Sequence, residues 1–260
     1  MRLVLLCLTL AAVPSLAGDF EGVIIGKPVV SGINPAALNS MKMYLSPAGF
    51  RVEASGQKAG PGGGPFQMTM LWRAADPGVT YLLNDAAKAY MKHDITKAKA
   101  AETEAPKVEK LGKTTYLGHS VERVKVTFAN NRTSELWIDT SLRFPSAALA
   151  AFGQEQGRNS AWQALEKAGV SGIPLKELNV TPGRPDQSGT SGWEASSVEK
   201  QSLPASTFQV PSDFHETKDP LDLVSPSQQT ALKKQRDEAL KNMTPEQRAK
   251  FEEMMKKYQQ

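Results

Sequence analysis

Apolar side chains recur at every second position through most of residues 41–84, and turn residues interrupt them at short intervals. Side chains alternate across a strand but repeat every 3.6 residues on a helix, so this spacing commits the region to sheet. MKMYL puts Met41, Met43 and Leu45 on one face, and FRVEA puts Phe50, Val52 and Ala54 on one face. Between them Pro47, Ala48 and Gly49 supply a turn, Pro by fixing φ and Gly by tolerating positive φ, which makes the pair a hairpin. FQMTMLW alternates in the same way through Phe66, Met68, Met70 and Trp72, and Asp76-Pro77-Gly78 reverses it into VTYLLN, a second hairpin. Residues 56–65, rich in Gly and Pro, read as a flexible loop between the two.

The same signals run from about residue 19 to residue 144. Residues 89–95 read as a further strand, and residues 97–113, rich in Lys, Glu and Ala, as a solvated connector. TTYLGHSVERVKVTF alternates only in part, and its Gly118 signals a bulge or sharp bend. A hairpin through Asn130-Asn131 leads into SELWID. The period then changes. Pro145 opens a short apolar segment closed by Gly153, and residues 160–168 are followed by Gly169, the Pro-first and Gly-last order of two short helices. GIPLKELNV and WEASSVEKQSL read as closing strands joined by a polar loop over residues 181–192. Meandering strands with helices inserted late predict an α+β class: a curved antiparallel sheet packed on helices.

Export is written at the N-terminus. Arg2 precedes an apolar stretch over residues 3–13, Pro14 breaks it, and the small residues Ser15 and Ala17 follow. This is the order of a cleaved secretory signal, and the stretch is far shorter than the ~20 residues that span a bilayer. Cleavage is expected near Ala17, which places the protein in the periplasm or outside the cell with no transmembrane segment in the mature chain. The only cysteine, Cys7, lies inside that leader, so neither a lipoprotein anchor at the cut nor a disulfide framework is expected. The full chain carries 31 basic and 27 acidic residues. The mature excess of basic charge lies wholly in residues 225–260, and a neutral body gives no reason to expect nucleic acid as a partner.

Residues 225–260 form a third region after the leader, 1–17, and the body, 18–224. Ser225-Pro226-Ser227-Gln228 and Thr244-Pro245-Glu246-Gln247 each place a hydroxyl at N-cap, Pro at N1 and Gln at N3, so each starts a helix. Phe251, Met254, Met255 and Tyr258 then fall at i, i+3, i+4 and i+7, one amphipathic stripe. The stripe suits either a helical hairpin docked on the protein or a free arm for a partner or a membrane surface.

Seven strings in order, FEGVI, FRVEA, TYLLNDAAKAYMKHD, KLGKTTYLGHSVERVKV, SELWID, GIPLK and SLPASTFQVPSDF, resemble a family of secreted bacterial domains of unknown function, DUF4412. The similarity spans residues 20–214 and leaves the C-terminal helices outside it. What the resemblance implies is a place near the periplasmic lipoprotein-carrier fold, in which a half-open antiparallel β-barrel curls around helices and encloses an apolar cavity. It implies no activity.

Catalytic motifs are missing. His93, His119 and His215 make no close pair of metal-ligand spacing, GTSG at 189–192 lacks the spacing of a nucleophile elbow, and AGPGGGP lacks the Lys-Ser/Thr of a phosphate loop. No metal, cofactor or catalytic group is expected, and the chain reads as non-enzymatic. The methionine-rich face is more informative, because unbranched, polarizable Met adapts to irregular apolar ligands. Met41, Met43, Phe50, Phe66, Met68, Met70 and Trp72 are the expected lining of a concave surface, with Trp162 and Leu165 as part of its lid; the alternative is an ordinary filled core. A lipid, an acyl chain or a lipidated protein is the expected partner. An envelope protein bound through Phe251, Met254, Met255 and Tyr258 is the alternative.

Overall fold

Leu45 stands opposite Phe50 and Met43 opposite Val52, so the first two alternating runs pair in the register their spacing predicts. A computed structural model describes residues 19–31, 37–58, 64–97, 105–145, 148, 149, 151, 159–181 and 189–248. The leader, residues 1–17, and the stripe residues Phe251, Met254, Met255 and Tyr258 lie outside the described residues. The first half of the chain gives β1 (Gly22–Ser31), β2 (Ala37–Ser46), β3 (Gly49–Lys58), β4 (Gly64–Arg73), β5 (Val79–Asn84) and β6 (Ala89–Asp94). The second gives β7 (Lys107–Tyr116), β8 (His119–Thr127), β9 (Thr133–Asp139), helix α1 (Asn159–Lys167), β10 (Ile173–Thr181), β11 (Gly189–Lys200), the two-residue β12 (His215–Glu216) and helix α2 (Pro226–Lys241).

Among the described residues, all twelve strands join one curved sheet in the order β12-β6-β5-β4-β3-β2-β1-β11-β10-β9-β8-β7. Every neighbouring pair is antiparallel except β12 with β6. β12 and β7 are the outer strands and do not pair with each other, so the barrel is not closed. The architecture is two meanders, β1 to β6 and β7 to β11, sewn together along the β1–β11 seam.

Four local expectations change. Residues 107–113 are not connector but the first part of β7, which is exposed along nearly its whole length. An edge strand with no buried face carries no apolar period, and its Lys107, Lys110 and Lys113 guard it against further pairing. Gly118, at φ 80 beside Leu117 at φ 51, makes a full reversal between β7 and β8 rather than a bend in one strand. β3 and β4 extend through Lys58 and from Gly64 into the expected loop, and β11 begins at Gly189, inside the other.

Register explains the core. Ile24, Met43, Val52 and Met70 face one another across β1 to β4, and Leu45, Phe50 and Trp72 form the next row. On the other face Leu71, Tyr81 and Leu83 are buried under Phe208 of the segment that follows β11. α1 packs Ala161 and Leu165 on Val124 and Val126 of β8 and on Leu136 and Ile138 of β9. It ends as its sequence dictates, with Gly169 at φ 69 while the Val170 N–H donates to the Leu165 carbonyl. Lys176 of β10 donates to Glu194 of β11 at 3.0 Å, and across the seam Lys27 of β1 approaches the same carboxylate at 3.3 Å. The Lys176 hydrogen bond, with Lys27 adding to it, holds that carboxyl below the ordinary range.

At the C-terminus, Gln228 Oε1 accepts from Ser225 N and Oγ, and Thr244 and Gln247 exchange the reciprocal bonds of a capping box. Residues 245–248 are helical, and the Gln228 side chain donates to Pro65 O at the start of β4.

Candidate functional site

The second meander brings apolar residues against the methionine-bearing strands, and the space between them is not filled. Met43, Leu45, Phe50 and Val52 from β2 and β3 face Ile173 and Pro174 from β10, Trp193 from β11, and Phe144 and Leu149 from the segment after β9. They surround a narrow space of about 390 Å³, its mouth included, with no polar residue among those that line it. That total takes in open solvent at the mouth; the cavity proper is about 30 Å³, small and walled wholly by apolar residues.

β1 makes the apposition possible. Its Gly26 lies beneath the Trp193 indole, where a Cβ would come to 3.0 Å from the ring, so a side chain there would push the cavity wall away. The segment carrying Phe144 is tied down on its N-terminal side. Phe20 N donates to Arg143 O, and Asp139, at the end of β9, accepts from Ser141 N at 2.8 Å and Ser141 Oγ at 2.6 Å. The other oxygen of Asp139 meets His119 Nδ1 at 2.7 Å. Asp139 is 1% exposed, so its partners carry the cost of burying it. Replacing His119 with Ala removes one of them and is expected to destabilise the protein by about 1–3 kcal/mol, read from the urea midpoint; an unchanged midpoint would contradict this role.

A second, smaller space, a cavity of about 10 Å³, lies between α1 and the sheet, lined by Val126, Phe128, Ser134, Leu136, Ala161, Trp162, Leu165 and Glu177. Among the described residues, Glu177 is the only carboxylate bordering either space. Ser134 Oγ donates to Glu177 Oε1 at 3.0 Å, and both residues are buried.

The residues expected to line the site on the first four strands have different surroundings. Met43 and Phe50 line the first cavity. Trp72 lies behind Phe50, stacked on it at 5.8 Å and 13°, and is core. Met41 and Met70 are half-buried against the same core, Phe66 is half-buried, and Met68 is 46% exposed. Trp162 and Leu165 are not a lid over the methionine face, because α1 sits on β8 and β9 and its side chains line the second space. Phe144, Leu149, Ile173, Pro174, Trp193 and Glu177 were not expected; the alternation of Trp193 with Ala195 was the one signal pointing to them. Among the described residues no group of three or more His, Cys, Asp or Glu is placed to hold a metal ion, and no helix is long and apolar enough to cross a membrane.

The model of the family described as a domain of unknown function, DUF4412, matches residues 20–214. The chain belongs to the DUF4412 family. The family match takes in both spaces of this DUF4412 chain and stops before α2. No curated protein matches it. Solved structures similar to it include an uncharacterized conserved protein from Thermus thermophilus, at 10% identity and TM-score 0.41, covering 78% of this chain and 91% of that one. Another is the lipoprotein LppX of Mycobacterium tuberculosis, at 10% identity and TM-score 0.31, covering 71% and 90%. A third is the LolA superfamily protein NE2245 from Nitrosomonas europaea, at 9% identity and TM-score 0.31, covering 74% and 90%.

Proposed function

We propose that this protein is an exported, non-enzymatic binding protein that holds an acyl chain, a lipid or the lipid of a lipidated protein in the first cavity. The observation that carries the reading is an all-apolar wall around unfilled space on the inner face of an open sheet. The space is narrow, and a chain of several methylenes enters only as Phe144 and Leu149 move outward. Export follows the leader of residues 1–17, with the periplasm as destination, and N-terminal sequencing of the purified protein tests it: an intact Met1 would contradict export.

Binding is tested in two steps. Mass spectrometry of an organic extract from gently purified protein is expected to yield an acyl or lipid species in near-stoichiometric amount. Leu149→Trp, at the half-buried rim, is expected to fill the mouth and weaken binding of an alkyl probe by about ten-fold or more, while the thermal midpoint stays within a few degrees. A folded Leu149→Trp protein that binds as the wild type does would remove the cavity from the argument.

A further inference from the structure

Tyr116 stands opposite His119 at the end of the β7–β8 ladder, so Leu117 and Gly118 alone make the turn, at φ 51 and φ 80. Positive φ at both central positions is the two-residue turn that twisted strands favour, and Asn-Gly or Asp-Gly is its ordinary sequence, since short polar side chains tolerate the left-handed region. Among the described residues two other non-glycine residues have positive φ, Lys88 and Asn131. Asn131 is of the kind that conformation suits, and Lys88 lays its ammonium on Asp213 at 3.1 Å and over the Phe214 ring. Leu117 instead is 46% exposed, a strained apolar residue at a tip where Asn would turn the chain more easily. The residues on both sides of the turn are tied to the body: Tyr116 Oη donates to the Ala195 carbonyl at 2.8 Å, and His119 Nδ1 meets buried Asp139 at 2.7 Å. The leucine is therefore held in solvent on a fixed mount.

The strands behind the tip are basic, with Lys107, Lys110, Lys113, Arg123 and Lys125 against Glu109 and Glu122. Lys110 meets Glu122 at 3.6 Å, and Arg123 donates to Glu135 of β9 at 3.0 Å. Beyond those two pairs the balance of the hairpin is Lys107, Lys113 and Lys125 against Glu109. Leu111 adds a second apolar side chain, 38% exposed, on the outer strand. We propose that the β7–β8 hairpin docks on an anionic lipid bilayer, with Leu117 entering the interface and the β7 lysines on the headgroups. A leucine leaves water favourably when it reaches the acyl boundary, and each lysine near an anionic surface adds an attraction that salt screens. One leucine and a few lysines give weak, reversible contact rather than an anchor. The proposal does not depend on what fills the first cavity.

Co-sedimentation with vesicles at low salt tests it, using phosphatidylcholine alone and phosphatidylcholine mixed with phosphatidylglycerol. All variants are made in the full chain, so any contribution of residues 3–13 or 225–260 is common to them. Wild type is expected to bind the anionic vesicles about ten-fold or more tighter than the neutral ones. Leu117→Asn gives the turn its ordinary Asn-Gly sequence, so it is expected to keep the wild-type thermal midpoint while binding anionic vesicles about five-fold more weakly. Leu117→Phe is expected to bind as the wild type does. Lys107→Gln combined with Lys113→Gln is expected to weaken binding about five-fold or more and to flatten its dependence on salt. A wild-type protein that binds both vesicles equally, or neither, overturns the proposal, and so does a folded Leu117→Asn protein that binds anionic vesicles as the wild type does.

Discussion

Trp72→Ala is expected to lower the unfolding free energy by about 4 kcal/mol, enough to bring a protein of ordinary stability close to its unfolding threshold. Trp72 is 1% exposed and does three things at once. Its ring stacks on Phe50, it stands in register between Phe50 of β3 and Thr80 of β5, and its Nε1–H donates to the Pro77 carbonyl at 3.1 Å. Truncation leaves a cavity of indole size, releases the turn that reverses β4 into β5, and removes the backing of Phe50 in the wall of the first cavity. Equilibrium urea unfolding by far-ultraviolet circular dichroism checks it. A loss below about 1 kcal/mol would mean that the site collapses around the truncation and that the Phe50–Trp72 stack is not central.

Gly192→Ala is expected to cost about 3 kcal/mol, although it adds only one methyl group. A Cβ at residue 192 would meet the backbone of β10, 2.8 Å from the Glu177 carbonyl carbon and 3.1 Å from Leu178 Cα, with the Glu177 oxygen nearer still. Backbone in a paired strand cannot rotate away as a flexible side chain can, so β10 and β11 must separate there. The displacement falls next to the Glu177–Trp193 pair, so alkyl binding is expected to weaken together with stability. A Gly192→Ala protein with wild-type stability would show that the β10–β11 contact relaxes freely.

The hairpins of the first meander were legible because one face is buried and the other is not, which forces alternation at Met41, Met43, Phe50, Val52, Met70 and Trp72. β7 was hidden for the opposite reason: an exposed strand has no apolar period, and Lys107, Lys110 and Lys113 read as solvated chain. The start of β11 was hidden by Gly189 and Gly192, which resemble loop residues although Gly192 is required by the closeness of β10. The site was half legible. Periodicity identifies the face on which Met43 and Phe50 lie, but pairing between distant strands is not encoded in any period. Only the seam brings Trp193 against Gly26 and sets Ile173 and Pro174 across from the methionines. Glu177 was passed over because one acidic residue in GIPLKELNV looks like the solvent side of a strand. Its burial follows from the curvature of the sheet and the position of α1, neither of which is a local property.

The seam also sets the order of assembly. In β1, Gly22 stands opposite Leu45 on one side and Lys200 on the other. The first partner emerges almost at once, whereas the second is nearly the last strand to be made. Hairpins β2–β3, β3–β4 and β4–β5 close within short loops, so the first meander forms early, with one edge of β1 unsatisfied and the apolar face of Met43, Val52 and Phe50 uncovered until β11 arrives. Contacts of such high sequence separation make for slow folding. The apolar face of Met43, Val52 and Phe50 is therefore the surface most open to wrong association while the chain is incomplete.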